Sequence, residues 1–270
     1  DQFVNYFDER YAFRTDTDFI VDNLTGIYLI EYSLESGETG GVSNPDYLKK
    51  LEAFENWYKS QPRVLHVNSL TDIVKRLNKN MHGDDPAYYK IPDDRELSAQ
   101  YLLLYELSLP YGLDLNNQIN IKKSATRFTV TMESVSTNEM LAMEEKAQEW
   151  LKTNALPSMQ VPGASASIMF SHISERNIKS MLNGTFIALV LISGILIFSF
   201  RDFKIGLLSL IPNLVPAAMA FGFWALISGE IGVGTSIVAA MSLGIVVDDT
   251  IHFLSKYLRA KREKGSNSHE

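Results

Sequence analysis

The chain has 270 residues, of which 46% are hydrophobic, and a formal net charge of −7. Its first 183 residues carry 18 basic and 26 acidic side chains, a charge of −8, which disfavours nucleic acid or anionic lipid as a partner of this part. Cysteine is absent, which excludes a disulfide framework and a thiolate metal site.

The first 180 residues predict a water-exposed α/β domain. Residues 25–34 (TGIYLIEYSL) are rich in β-branched and aromatic side chains and predict a strand. Asn44, Pro45 and Asp46 then begin an amphipathic helix that extends to about residue 59. Residues 64–67 predict a short second strand.

The same order of elements recurs after a mostly helical insert at about residues 69–115. Residues 126–133 (TRFTVTME) alternate as a strand, and Ser136 or Thr137 caps a helix to about residue 153. Residues 159–161 predict the start of a further strand. Two β-α-β units separated by an insert predict an α+β domain of ferredoxin-like, or split β-α-β, arrangement.

Three apolar segments near the end are long enough to span a bilayer as helices. They run at about residues 182–200, 205–228 and 232–254. The connections 201–204 and 229–231 are so short that the three helices must alternate in direction. We also expect a helix from about His172 to continue into the first span.

Basic residues predict the orientation of the helices. Arg201 and Lys204 lie in the first connection, and a basic segment, residues 256–270, follows the third helix. By the positive-inside rule both are cytoplasmic, so residues 1–180 lie outside, in the periplasm of a Gram-negative cell or on the extracytoplasmic side of another cell. We therefore expect a multi-pass protein of the inner (plasma) membrane. An outer domain requires a preceding span or signal, so the chain, which begins at Asp1, is expected to be part of a longer protein.

Two adjacent carboxylates lie within the third apolar segment, in the sequence Gly-Ile-Val-Val-Asp-Asp of residues 244–249. An ionised carboxylate at the centre of a membrane costs about 2.5–3.5 kcal/mol, so Asp248 and Asp249 indicate function. Loss of hydration favours the neutral form of a carboxyl group, so protonation near neutral pH becomes feasible. Asp248 shares a small-residue face with Ala240 and Gly244 that suits helix packing, and Asp249 points about 100° away.

Residues 244–257 (GIVVDDTIHFLSKY) resemble the fourth helix of a repeat in the resistance-nodulation-division (RND) superfamily of transporters, most closely the MMPL-type and Patched-like exporters. Residues 23–26 (NLTG), 101–114 (YLLLYELSLPYGLD) and 210–218 (LIPNLVPAA) are also similar to that group. The resemblance covers nearly the whole chain, which corresponds to one extracytoplasmic porter domain and the second to fourth helices of one repeat.

The resemblance implies proton-driven export of hydrophobic, amphipathic or lipid-like molecules, with Asp248 and Asp249 as the proton relay. The proton gradient is the energy source, and no cofactor or metal is expected. Expected partners are the substrate, membrane lipids and the remaining half of the transporter, which would supply a basic partner for the acids. A homo-oligomer or adaptor proteins are further candidates, and nucleic acid is not expected.

Several interpretations stay open at this stage. His252, one turn beyond Asp248, either extends the relay or is an interfacial histidine solvated by water. Pro212 and Pro216 mark either a hinge or a packing feature of the second span. An intramembrane aspartyl protease is disfavoured, because adjacent residues of one helix diverge by about 100°. A non-transporting lipid sensor, similar to a sterol-sensing module, is the main alternative to transport.

Overall fold

The computed structural model describes residues 3–110, 112–200, 203–228 and 232–264. The chain divides into two compact units, residues 2–172 and residues 173–270. The first unit contains α1 (Ala12–Asn23), β1 (Tyr28–Glu35), α2 (Pro45–Lys59), β2 (Val64–Asn68), α3 (Leu70–Met81), α4 (Arg95–Ser108), β3 (Ala125–Met132) and α5 (Thr137–Asn154). The helix α6 (Ala166–Phe200) crosses the boundary, and α7 (Phe203–Leu208), α8 (Leu210–Ser228) and α9 (Val233–Lys264) belong to the second unit.

The sheet of the first unit has three strands in the order β1-β3-β2, and both pairings are antiparallel. Alternate residues of β1 and β3 are buried, as the period of two in the sequence requires. Phe54 of α2 packs at ring-centroid distances of 5.4 Å from Tyr32, 4.9 Å from Phe128 and 5.1 Å from Trp150. This aromatic cluster joins α2 and α5 to the buried face of the sheet.

Local capping explains where the two core helices begin. The Asn44 side chain accepts a hydrogen bond from Asp46 N, and Pro45 occupies the first turn of α2, where its missing N–H is not needed. Ser136 and Glu139 form a reciprocal capping box at the start of α5. The predicted helix from Pro45 and the predicted helix from Ser136 or Thr137 are confirmed.

The predicted strand at residues 159–161 is wrong. Residues Pro157–Met159 form a 3₁₀ turn, and the backbone pairs with the sheet at Ala164, which exchanges two hydrogen bonds with Glu31 of β1, at 2.8 and 3.1 Å. Pro157 favours the turn, and Pro162 has no N–H to donate to a ladder. The observed sheet is therefore a small three-stranded one, and the ferredoxin-like arrangement stays a prediction.

Residues 157–165, the segment around Ala164, contact β1 and α5 within the first unit and are called the connector below. Gly163 N donates to the buried Glu144 carboxylate at 3.1 Å. A Cβ atom at Gly163 would lie 2.8 Å from Ile30 Cγ2, closer than real Cβ contacts, so only glycine fits here without a shift. The connector leads directly into α6.

Three helices of the described chain are long and apolar enough to cross a membrane: Ala166–Phe198, Leu210–Ile227 and Val233–Lys261. By length and composition the chain is thus a multi-pass membrane protein. The second predicted span is interrupted at Ser209, between α7 and α8. Pro212 has no N–H to donate to the Leu208 carbonyl, so the helical hydrogen bonding restarts at this point.

The third helix extends beyond its predicted end at residue 254. It continues to Lys264, so the basic residues Lys256, Arg259 and Lys261 lie on α9 rather than in a separate tail. Of the predicted connections, residues 201–202 and 229–231 lie outside the described residues, as do the last six residues of the basic segment. The orientation of the helices across a membrane stays a prediction.

A network of charged side chains joins α2 to α3. Lys75, whose side chain is only 9% exposed, contacts Glu52 at 3.0 Å and Asp72 at 3.2 Å, and Lys59 pairs with the fully buried Glu55. Burial opposes ionisation of Asp72, but the hydrogen bond and charge of Lys75, aided by Lys59, outweigh it and hold the pKa of Asp72 below its ordinary value. Burial likewise opposes the charge of Lys75, and its carboxylate neighbours raise its pKa nonetheless.

Replacing Lys75 with methionine should destabilise the chain by about 1.5–3 kcal/mol, because carboxylates of the network lose a buried charged donor. The measurement is the guanidinium midpoint of the chain in detergent, followed by tryptophan fluorescence. As a control, Lys49→Met removes a pair of exposed residues, Lys49 and Asp93, and should leave the midpoint unchanged. Equal midpoints for wild type and Lys75→Met would contradict the assigned role.

The pKa directions also predict a pH window for this stabilisation. A lowered pKa of Asp72 means that its contribution is complete above the unfolded value of about 3.9 and is lost as pH falls through the folded value. A raised pKa of Lys75 means that its contribution is complete below about 10.4 and is lost as pH rises through the folded value. The difference between wild type and Lys75→Met should therefore be largest between about pH 4 and 10.

Candidate functional site

The acidic pair lies on α9, within the part of the helix that is long and apolar enough to span a membrane. The side chains of Asp248 and His252 are 72% and 71% exposed, and Asp249 is exposed as well. His252 Nε2 lies 3.6 Å from Asp248 Oδ1, one helical turn away, so the two form an ion pair only when the imidazole is protonated. Asp248, Asp249 and His252 therefore share an uncovered side of α9, called the acidic face below.

Another side of α9 is covered. Val247, Thr250 and Leu254 are buried at helical spacing, and α8 is the helix with which α9 makes its main contacts. By the period of the helix, Asp248 and Asp249 lie about 100° and 200° around the axis from Val247. The packing of α8 on α9 thus leaves the acidic face open.

The predicted packing residues lie between these two sides. Ala240 and Gly244 are exposed, and a Cβ atom at Gly244 would meet no atom of the described chain within 4 Å. Ser236, four residues before Ala240, is buried and donates to the Gly232 carbonyl of its own chain segment at 3.1 Å. Close helix packing at Ala240 and Gly244 stays a prediction that needs a partner beyond the described residues.

A buried polar pair joins α8 to α9 beside the acids. Thr250 Oγ1 lies 2.9 Å from Asn213 Oδ1 and 2.8 Å from the Val246 carbonyl oxygen. Asn213 is 2% exposed and Thr250 6% exposed. A hydroxyl group has one hydrogen, so Thr250 fully satisfies only one of these acceptors at a time. Asn213 Nδ2 is buried with no partner among the described residues.

The pair sets the alignment of the two helices. Asn213 precedes the end of α8 by 15 residues, and Thr250 follows the start of α9 by 17. At 1.5 Å per residue both lie roughly 22–26 Å from the short connection between the helices. Contact at matching distances means that α8 and α9 form an antiparallel hairpin, and a shift of one residue would break the polar contact.

The prolines proposed as a hinge flank Asn213. Pro212 is in the first turn of α8, where a missing N–H is tolerated, and Pro216 lies inside the helix. Pro216 leaves the Pro212 carbonyl without its helical donor, which permits a local bend. A hinge at these prolines stays a prediction.

The sequence reasoning missed Asn213 and Thr250 as an interhelical pair. Asn213 stands between the two prolines, and Thr250 directly follows the acids. Their signal was a polar residue in each of two neighbouring apolar runs, since such residues hydrogen-bond across helices in membranes. Spacing within one helix does not reveal which polar residue of the next helix lies opposite.

Three other acidic side chains of the first unit have local roles. Asp85 caps the 3₁₀ turn Pro86–Tyr88, Asp94 caps α4, and Asp93 pairs with Lys49 at 2.7 Å. In the ranges that the structure describes, no three His, Cys, Asp or Glu side chains are grouped as metal ligands. The acidic face of α9 itself carries two carboxyl groups and an imidazole.

Comparisons with known proteins give no family: no protein-family model and no curated protein matches the chain.

The pair of Asn213 and Thr250 should stabilise the α8–α9 hairpin. We expect a coupling free energy of about 0.6–1.7 kcal/mol in a double-mutant cycle of Asn213→Leu and Thr250→Val, because each variant removes one side of an interhelical hydrogen bond. The measurement is unfolding of the chain in mixed micelles with increasing dodecyl sulfate.

Ser242 supplies the control, because it is an exposed polar residue of the same helix. Ser242→Ala combined with Asn213→Leu should show no coupling. Additive effects of the Asn213 and Thr250 variants would show that the contact does not contribute to stability.

Proposed function

We propose that this chain is part of a proton-driven RND-type exporter of hydrophobic, amphipathic or lipid-like molecules, in which Asp248 and Asp249 bind and release the transported proton. In this proposal residues 1–180 are a porter-type domain on the outer side of the inner membrane, and the three apolar helices belong to one repeat of a larger transporter.

One observation carries the proposal: two adjacent carboxyl groups occupy an uncovered side of a helix that is apolar enough to span a membrane. A charged carboxylate within an apolar span is unstable in contact with lipid tails. Each carboxylate must therefore face water or a partner helix, or carry a proton that neutralises it. Protonation removes the charge, and loss of the proton restores it. The acidic face therefore has a different preferred environment in its two protonation states, which is what proton coupling requires.

The polar pair of Asn213 and Thr250 supports a role for the hairpin as one body. Thr250 follows Asp249 directly and is held to α8 at 2.9 Å. If protonation of the acids moves α9, the contact between Thr250 and Asn213 would make α8 move with it. His252 Nε2 lies 3.6 Å from Asp248 Oδ1, so the imidazole either takes part in the relay through a bridging water or is solvated near the basic end of α9.

The decisive experiment measures proton uptake by the full-length protein in proteoliposomes under an imposed pH gradient, with host lipid extract as candidate cargo. The double variant Asp248→Asn/Asp249→Asn should reduce uptake to the rate of empty liposomes, because asparagine is similar in shape and does not titrate. His252→Gln should give a partial loss if the imidazole is in the relay and none if it is only solvated.

Asp93→Asn is the matched control, because it removes an exposed carboxylate of the first unit and should retain full uptake. Equal uptake by wild type and the double variant, with lipid still bound, would make the acids structural. The protein would then be a lipid sensor or scaffold, the alternative that membrane architecture alone also permits.

A further inference from the structure

A groove opens in the first unit between the end of β2, α3 and the last turn of α4. One part is a cavity of about 510 Å³ whose lining includes Asn68, Arg76 and Tyr105. An adjoining cavity of about 620 Å³ also includes Asn68 and Tyr105 and extends along residues 112–118. The two cavities share lining residues and therefore lie side by side, and together they are called the α3–α4 groove below.

Arg76 is the arginine of this unit that has no carboxylate partner within the ranges 3–110 and 112–172. This is unexpected in a part of the chain where acids outnumber bases. The other arginines there each contact an Asp or Glu: Arg10, Arg14, Arg63, Arg95 and Arg127. A guanidinium group presents a planar fork of donors that fits a carboxylate or phosphate. The guanidinium group of Arg76 is therefore available to bind an anionic group of a ligand in the groove.

The two carboxylates that line the groove are already engaged. Asp72 pairs with Lys75 at 3.2 Å and with Lys59 at 3.6 Å. Asp114 accepts hydrogen bonds from the backbone N–H and the side-chain amide of Asn116, at 3.4 and 2.6 Å. The remaining polar lining is mainly uncharged amide groups. Asp72 is paired with lysines, Asp114 keeps its charge in the adjoining cavity, and Arg76 is the cationic lining group that no carboxylate contacts among the described residues.

Apolar groups line the other part of the groove. Leu113 is 63% exposed, and Leu109, Ile73 and the Tyr105 ring are half-buried. A ligand that covers Leu113 would remove apolar surface from water, which favours binding. The groove thus combines a cationic end at Arg76 with an apolar wall.

We propose that the α3–α4 groove binds an amphipathic molecule, whose carboxylate or phosphate group is held by Arg76 and whose hydrocarbon part lies along Tyr105, Leu109 and Leu113. The proposal does not depend on proton transport, so binding should be retained in Asp248→Asn/Asp249→Asn.

The test is photolabelling of the whole chain in detergent micelles at pH 8, with the labelled peptides identified by mass spectrometry. The probes are a diazirine-bearing palmitic acid, the corresponding alkyl phosphate and the corresponding alcohol. We expect both anionic probes to label peptides that contain Tyr105 or residues 112–118, and the alcohol to label them much less. Arg76→Gln should reduce this labelling about tenfold or more, because it removes a charge-assisted contact.

Lys79→Gln is the matched control: it removes the same charge from the same helix, and Lys79 does not line the groove. Its labelling should equal that of the wild type. Equal labelling by acid and alcohol, or an equal loss in the two variants, would overturn the anion site. Displacement of the fatty-acid probe by inorganic phosphate at low concentration would overturn the amphipathic class of ligand, since the anion alone would then suffice. A difference between the palmitate and alkyl phosphate probes would identify which headgroup the site prefers.

Discussion

The cost of a charged side chain in hydrocarbon is the constraint on which the arrangement of the second unit depends. The described helices bury an apolar side of α9 against α8 and leave the acids on another side. Gly244 adds no bulk beside Asp248, so a neighbouring element has room to approach closely. Within a membrane, the charged forms of these acids would need water or further protein beside them.

The hairpin of α8 and α9 combines apolar packing at Val247 and Leu254 with one polar contact. Lipid tails are as apolar as leucine, so the hydrophobic effect favours no particular alignment of the helices, and an interhelical hydrogen bond adds specificity to the packing. A single contact between Asn213 and Thr250 specifies the relative positions of the two helices. In the first unit the equivalent specificity comes from shape, because Phe54 packs against five other aromatic rings.

Much of the secondary structure could be predicted from the sequence, because its signals are local. Asn44 with Pro45, and Ser136 with Glu139, are complete capping signals within a few residues. The strand predicted at residues 159–161 was wrong, because a short apolar run does not reveal whether its backbone meets a sheet edge. The break at Ser209 lies where the Leu208 carbonyl loses its donor, four residues before Pro212, and a proline in the sequence predicts a bend but not whether the helix is interrupted.

The candidate site was predictable only in part, for a related physical reason. Two carboxylates in an apolar run are visible in the sequence, because the cost of burying charge is independent of the fold. The partner of Thr250, the lack of a carboxylate beside Arg76 among the described residues, and the side of α9 that α8 covers all depend on which distant segments meet. Such contacts follow from tertiary packing, and periodicity within one element does not specify them.

The contact between the connector and β1 limits where the chain can be truncated without exposing the edge of the sheet. In a three-stranded sheet both outer strands present unpaired backbone groups, and such edges recruit other chains. The edge at β2 is short and has an irregularity near Val64, which discourages that pairing. The edge at β1 is longer, and Ala164 occupies it at Glu31. A truncation before Gly163 would remove the membrane helices and also uncover this edge, so the shortened protein should aggregate through its sheet, whereas one that ends after Ser167 should stay monodisperse.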